Sequence, residues 1–182
     1  MKKNSYLLLF AILLIFTGCS KEEVKEASQL TINGQKKNVS VGIIEDEGTE
    51  LDATPPYREY SIELKSSDTY TPENSLVFSI YSTTTDRLQE GTYTYSYDDK
   101  AGTFSYPKIK FDHKYDGSGV ATSGTVLSSV YLDETANNTI VVSKENGDKV
   151  FDITLTYIKN GETFTVSGHF NEAMKAGSVY FF

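Results

Sequence analysis

Apolar and polar residues alternate along the chain from about residue 29 to its end, and turn residues interrupt the alternation. A period of two residues is typical of strands that bury one face and expose the other to water. No segment sustains an apolar period of 3.6 residues, although residues 171–176 have room for one helical turn. The pattern predicts a single all-β domain at residues 29–182, either an antiparallel sandwich or a lipocalin-like barrel of about 8–11 strands joined as a meander.

The turn residues divide this domain into its predicted strands. They lie at residues 29–32, 36–44, 57–65, 75–82, 91–97, 103–111, 122–132, 138–144, 149–158, 162–170 and 177–181. The composition agrees with this assignment, because the 13 tyrosines and 10 phenylalanines are residues that favour strands.

The C-terminal third allows the strand register to be predicted. Asn160-Gly161 is typical of a two-residue hairpin turn, which needs positive φ at both central residues. The resulting register puts apolar pairs on one face: Tyr157–Phe164, Leu155–Val166, Ile153–Gly168 and Phe151–Phe170. The other face pairs Thr156 with Thr165, Thr154 with Ser167 and Asp152 with His169. We expect Tyr157 and Phe164 to be buried neighbours whose truncation to Ala costs about 3–5 kcal/mol.

A second turn, at Asn146-Gly147, adds a third strand to this sheet. Its register continues the apolar face through two pairs, Val142–Phe151 and Ile140–Ile153. The same register sets Lys144 opposite Lys149. Because like charges directly opposite each other are destabilising, we expect local fraying or a bulge at that pair.

A stripe of tyrosines is the most suggestive feature for ligand binding. Tyr93, Tyr95 and Tyr97 alternate with small polar residues, and a loop at 98–103 would return Phe104 and Tyr106 beside them. A tyrosine ring has a flat apolar face and a polar tip, which suit stacking on sugars or lining a cavity. These four tyrosines are the candidate ligand-binding residues. The alternative is that they fill the core, and the absence of Trp argues against a sugar-stacking platform.

The sequence offers no catalytic or metal-binding constellation. His113 and His169 are the only histidines, and clustered imidazoles or thiolates at ligand spacing are missing. The predicted register makes His169 an exposed partner of Asp152, without a serine nucleophile in a strained turn. We therefore predict no catalytic residues, no metal site and no cofactor.

Acidic residues cluster in three turn-like segments. Asp98-Asp99 and Glu45-Asp46-Glu47 could serve as a glycosidase pair only in an apolar pocket that raises one pKa. Asp116-Gly117-Ser118-Gly119 lacks the ligand spacing of an EF-hand loop, which leaves a weak surface calcium site as an alternative. Solvated surface turns are the simpler interpretation of all three.

The N-terminus has the layout of a signal peptide. Lys2 and Lys3 precede an apolar run at residues 6–16, and Thr17-Gly18-Cys19 follows it. Eleven helical residues span about 16 Å, which is half of a bilayer core, so the run is too short for a transmembrane helix. We predict a signal peptide at residues 1–18 and lipid attachment at Cys19; the alternative is an ordinary signal peptide with an incidental cysteine.

The residues around Cys19 carry a resemblance to known lipoproteins. Phe16-Thr17-Gly18-Cys19 resembles a lipobox, although Phe16 replaces the preferred Leu. Ser20-Lys21-Glu22-Glu23 resembles the export signal of surface lipoproteins of the Bacteroidota. Cys19 and the charged residues up to 28 would form an acylated, flexible tether. With the strand that starts at 88–93 and the hairpin at Asn160-Gly161, the chain resembles the small all-β lipoproteins of unknown function in that phylum.

Charge and anchor together limit the function. Beyond Cys19 the chain has 15 basic and 25 acidic residues, a net charge of −10 without a local basic cluster. This charge repels phosphate backbones, so nucleic acid is excluded as a partner. We expect a non-enzymatic module at the outer membrane, on the cell surface or on the periplasmic side, that binds a small molecule, a glycan or a protein. A structural or adhesive envelope subunit and a carrier of a small apolar ligand are the alternatives.

Overall fold

A computed structural model describes residues 27–181, and its regular structure is almost entirely strand. The predicted signal peptide, Cys19 and the tether up to residue 26 lie outside the described residues. The strands are β1 (Gln29–Ile32), β2 (Gln35–Asn38), β3 (Val41–Glu50), β4 (Tyr57–Lys65), β5 (Ser75–Ser82), β6 (Gly91–Tyr95), β7 (Thr103–Tyr115), β8 (Ala121–Leu127), β9 (Thr139–Glu145), β10 (Asp148–Lys159), β11 (Glu162–Phe170) and β12 (Met174–Ala176). The all-β prediction is confirmed.

All twelve strands belong to one sheet that curls into a half-barrel. The strand order is β12-β3-β4-β5-β7-β6-β9-β10-β11-β1-β2, and β8 pairs with β7 beside this path. Most neighbours are antiparallel, but β12 runs parallel to β3 and β6 runs parallel to β7. The architecture therefore lies closer to the predicted barrel than to two separate stacked sheets.

The predicted C-terminal registers are confirmed. The β10–β11 hairpin pairs Tyr157 with Phe164, and the β9–β10 hairpin pairs Val142 with Phe151. The first residue of each turn, Asn146 or Asn160, has positive φ, as a two-residue turn requires. The expected disruption at Lys144 and Lys149 is wrong, because the pair lies in unbroken register. Lys149 Nζ donates a hydrogen bond of 2.7 Å to the Leu88 carbonyl, so the ammonium group has a partner in this register.

Four predicted segments differ from the structure, and one of them is the strand expected at residues 177–181, where no strand follows β12 in the described residues. Residues 36–44 form two strands, β2 and β3, separated at Val39 and Ser40, where the Ser40 N–H donates to the Lys65 carbonyl. The expected helical turn at 171–176 is wrong, because β12 pairs with the edge of β3. Residues 122–132 end as a short 3₁₀ turn at Ser129–Tyr131 after β8.

The loop after β6 does return Phe104 beside Tyr95, but the two strands run parallel. Each strand takes its direction from its other neighbour: β6 is antiparallel to β9, and β7 is antiparallel to β5. The connection is therefore not the meander that the sequence predicts at this point.

The interior of the half-barrel is filled by side chains from both halves of the sheet. The rings of Phe78 and Phe151 meet edge to face with centroids 6.2 Å apart. The largest fully buried side chains are Tyr81, Tyr157, Phe78, Phe104, Phe151, Phe170, Leu30, Ile62, Leu64, Leu76, Ile80 and Ile109. Tyr157 is buried as predicted, whereas its neighbour Phe164 is only partly buried.

Candidate functional site

The structure divides the four candidate tyrosines between the core and the surface. Tyr93 is buried in the core, and its hydroxyl donates a hydrogen bond of 2.8 Å to the Gln89 carbonyl. Tyr95 and Tyr97 are in edge-to-face contact with ring centroids 5.2 Å apart, and Tyr97 is exposed. Tyr106 is also exposed, on β7. The tyrosines therefore do not form one continuous binding stripe.

The two histidines have different surroundings. His169 Nδ1 lies 2.7 Å from Asp152 Oδ1 in the predicted cross-strand pair, near the surface. His113 is buried, with Nε2 3.3 Å from the Thr125 carbonyl oxygen. Within residues 27–181, no group of three or more His, Cys, Asp and Glu side chains is placed to hold a metal ion.

Asp98-Asp99 and Asp116 lie in connections between strands, as predicted, whereas the turn expected at Glu45-Asp46-Glu47 is wrong, because these residues lie within β3. Asp46 accepts two hydrogen bonds from the Arg58 guanidinium, at 2.8 and 2.6 Å, which lowers the pKa of Asp46. Asp98 is paired with Lys100. Asp116 accepts backbone N–H bonds from Ser118 and Val120, so one carboxylate oxygen holds its own turn.

The outer face of the sheet, opposite the core, carries a row of small polar residues. Across β3, β4, β5 and β7 the register aligns four residues: Glu45, Ser61, Ser79 and Ser105. The three serines are buried, although their strands turn their apolar side chains to the other face. Because these hydroxyls are buried on the face opposite the core, other segments must cover this face.

Between the covering segments lies a cleft of about 440 Å³, which we call the outer-face cleft. Strands β3, β4, β5 and β7 supply its floor, and residues after β8 and β12 form its walls. Its lining residues are Glu47, Glu59, Ser61, Ser79, Tyr106, Lys108, Ser128, Ser129 and Phe181.

Charged groups in the outer-face cleft are perturbed by burial. Burial raises the pKa of the Glu59 carboxyl, and the Ser79 hydroxyl offsets part of that effect. Burial also lowers the pKa of the Lys108 amine, and nearby Lys110 adds to the decrease. Ionisable groups with pKa values shifted by desolvation inside a cleft are typical of functional sites.

A bulge in β7 shapes one wall of the cleft. Val77 pairs with Lys108 and Ser79 pairs with Ser105, so two residues of β7 lie opposite Phe78 alone. They are Tyr106, whose φ is +52°, and Pro107. A bulge tolerates proline because its extra residue does not donate to the strand ladder. It also allows the Tyr106 side chain to leave the regular alternation and stand exposed at the cleft.

The C-terminal segment, residues 177–181, crosses the same sheet face. The Gly177 N–H donates 3.1 Å to the Ile44 carbonyl, and the Val179 N–H donates 2.6 Å to the Glu45 carboxylate. Val179 is buried, whereas Phe181 is partly exposed and lines the outer-face cleft. A second cleft, of about 460 Å³, includes Ser178 and Tyr180 in its lining.

Sequence reasoning missed this site, although one signal for it exists. In β5 the outward positions are Ser75, Val77, Ser79 and Tyr81, none of which carries the charge of a typical solvated strand. All eight residues of β5 are buried, so both faces of this strand are covered. Uncharged outward residues therefore indicated a covered face but not which segments cover it.

Comparison with known proteins adds no family assignment, because the chain matches no family model, no curated protein and no solved structure. In the part of the chain spanning residues 27–181, no helix combines the length and the apolar character needed to cross a bilayer.

Proposed function

We propose that this protein is a lipid-anchored lipoprotein of the outer membrane, displayed on the cell surface, that binds a ligand in the outer-face cleft without catalysing a reaction. The anchor rests on Phe16-Thr17-Gly18-Cys19 and on Ser20-Lys21-Glu22-Glu23, whose resemblance to Bacteroidota surface lipoproteins supports both membrane and surface. Acyl chains on one cysteine hold a protein at a bilayer through burial of their methylene groups.

The observation that carries the binding proposal is the presence of Glu59 and Lys108 in the lining of one cleft above a floor of buried serines. Removing an ionisable group from water costs free energy, and a ligand that pairs with the group offsets this cost. The shifted pKa values of both groups register that cost. A ligand that satisfies the carboxylate, the amine and the hydroxyls together would provide the compensation.

The carrier hypothesis receives less support from the side-chain packing. A carrier of the lipocalin type holds its ligand inside the barrel. Here Phe78, Phe104, Phe151 and Tyr157 occupy the interior and are fully buried. The outer-face cleft, with its hydroxyls and carboxylates, is a poor environment for an apolar ligand.

A second candidate, glycoside hydrolysis, is favoured by one observation: Glu47 and Glu59 line the same cleft, and burial raises the pKa of Glu59. An acid with a raised pKa and an ionised partner are the two groups that such hydrolysis requires. Binding is the stronger proposal because Lys108 and the serines line the same cleft, and hydrolysis by two carboxylates gives these groups no role.

Metabolic labelling with an alkynyl fatty acid tests the anchor. We expect the full-length chain to be labelled, to sediment with the outer membrane and to be digested when intact cells are treated with protease. The Cys19→Ala variant should lose the label and leave the membrane fraction, because the thioether-forming atom is gone. Label on the variant would overturn the anchor, and protection from protease in intact cells would overturn surface display.

A thermal-shift screen of the mature lipoprotein in detergent tests ligand binding. Probes are oligosaccharides, palmitate, haem, divalent metals and short peptides. A ligand at 100 times its dissociation constant stabilises the fold by about 2.7 kcal/mol, which shifts the melting temperature by several degrees. A shift that Glu59→Gln abolishes supports the outer-face cleft; shifts that are unchanged in that variant, or no shift with any probe, contradict it.

A further inference from the structure

We propose that the ligand of the outer-face cleft is a neutral saccharide. This inference rests on the proposed function, because it specifies the chemistry of the molecule that the cleft binds. It is argued from three properties of the cleft: its mixture of hydrogen-bonding groups, its aromatic edge and its position on the face of the sheet.

The polar groups of the cleft match a molecule that both donates and accepts hydrogen bonds at many points. The carboxylates of Glu47 and Glu59 accept, the Lys108 ammonium donates, and the serine hydroxyls do both. A sugar hydroxyl donates one hydrogen bond and accepts others, so neighbouring hydroxyls of a sugar ring can satisfy all three kinds of group. Ser61 and Ser79 are 2 % exposed, and the Ser79 hydroxyl already donates to the Glu59 carboxylate. The more accessible hydroxyls of the lining are those of Ser128 and Ser129 on the wall.

The aromatic edge supplies the apolar half of such a site. Tyr106 is 51 % exposed and Phe181 is 41 % exposed, and both line the cleft. An exposed ring beside hydroxyls and a carboxylate complements a sugar, which has an apolar C–H face as well as polar edges. Tyr106 has a positive φ, which is an unfavourable backbone conformation for a non-glycine residue. The bulge in β7 holds the residue in this conformation and so positions its ring at the cleft.

The position of the cleft disfavours a peptide. Extended peptides bind sheets by adding to an edge, where backbone N–H and C=O groups are free. In the middle of the floor, β4 and β5 are each paired on both sides. A peptide lying across these two strands would find side chains but no free ladder groups.

Charge and polarity disfavour anionic ligands and acyl chains. Two carboxylates oppose one ammonium in the lining, so an anionic ligand would meet a net negative site. An acyl chain would desolvate the carboxylates and hydroxyls without returning a hydrogen bond. A neutral polyhydroxy ligand avoids both costs.

Calorimetric titration of the mature lipoprotein in detergent tests the inference. The probes are a panel of neutral oligosaccharides that includes cellohexaose, maltohexaose and mannohexaose, with palmitate, inorganic phosphate and hexaalanine as the other classes. We expect a neutral oligosaccharide to bind, and we expect Tyr106→Ala and Glu59→Gln each to weaken binding at least tenfold. Tyr97→Ala removes a similarly exposed ring outside the cleft lining and should change binding less than threefold.

The outcomes separate the two levels of the proposal. Binding of palmitate, phosphate or hexaalanine that the cleft variants weaken, without sugar binding, would overturn the saccharide and retain a ligand in the cleft. Sugar binding that neither variant affects would overturn the cleft as the site. No binding by any probe would overturn the saccharide inference. Release of reducing ends that Glu59→Gln abolishes would overturn the non-catalytic proposal and show that the protein hydrolyses the sugar.

Discussion

The Glu45 carboxylate accepts a hydrogen bond of 2.6 Å from the backbone N–H of Val179, across 134 positions of sequence. Glu45 belongs to the same cross-strand row as Ser61 on the outer face, and Val179 is buried in the segment that crosses that face. This single bond connects the floor of the cleft to the segment that carries Phe181, so the wall and the floor are positioned together.

Loss of that bond should loosen the C-terminal segment without unfolding the domain. We expect Glu45→Ala to reduce amide-exchange protection at Val179 by about 10–100-fold, since a hydrogen bond to a charged group contributes about 1.5–3 kcal/mol. Protection in β10 and β11 should not change. Glu145→Ala, at an exposed position on β9, is the control. Equal protection of Val179 in both variants would show that Glu45 does not hold the segment.

The Tyr157 hydroxyl is buried and has no hydrogen-bond partner within residues 27–181, so its removal should not destabilise the protein. We expect Tyr157→Phe to leave the free energy of unfolding unchanged or to raise it by about 1–3 kcal/mol, because an unsatisfied polar group is removed. Tyr157→Ala should lower it by about 3–5 kcal/mol through the cavity it leaves. Denaturant titration measures both. A clear loss in Tyr157→Phe would indicate a buried partner for the hydroxyl.

Alkaline pH should destabilise the fold through its buried tyrosines. Burial raises the pKa of Tyr157 and of Tyr81 well above the value of about 10 in an unfolded chain. The folded state then retains protons that the unfolded state releases, so stability is complete below pH 10 and falls as the pH rises beyond it. The slope for each such tyrosine is about 0.7 kcal/mol per pH unit at pH 10 and approaches about 1.4 kcal/mol per pH unit well above it.

Tyr157→Phe removes one of these groups and should reduce that slope, averaged from pH 9 to 11, by about 0.7 kcal/mol per pH unit. Denaturant titrations from pH 9 to 11 measure the slope. Tyr70→Phe, at a position 81 % exposed, is the matched control. The same slope in the wild type and in Tyr157→Phe would mean that Tyr157 ionises in the folded protein.

Gly168 makes room for Leu30, and this predicts a specific pattern of coupling. The two residues are directly paired across β1 and β11, and a Cβ at Gly168 would lie 2.6 Å from Leu30 Cδ2. Because Leu30 is fully buried, Gly168→Ala should cost about 1–3 kcal/mol by overpacking. In Leu30→Ala the same substitution should cost much less, since its clash is gone. Ser167→Ala, on the exposed face, is the control, and additive effects of the two substitutions would contradict direct contact.

Local chemistry made the C-terminal meander predictable. A two-residue turn at Asn160-Gly161 fixes which residues face each other, and a slip by one would move every apolar side chain to the wrong face. The register of β9, β10 and β11 therefore followed from the sequence alone, including the Asp152–His169 pair. The strands β1, β5 and β11 also have the predicted bounds.

The tertiary structure decided what lies on the outer face. The pairing of β12 with β3 and the crossing of residues 177–181 join segments far apart in sequence. The parallel contact of β6 with β7 joins consecutive strands, but their other neighbours, β9 and β5, set its direction. Alternation identifies which residues share a face but not which distant segment covers it, because that depends on how the sheet curls. For this reason the sequence predicted the all-β class and a tyrosine stripe, whereas only the fold brought Tyr106, Glu59 and Lys108 into one cleft.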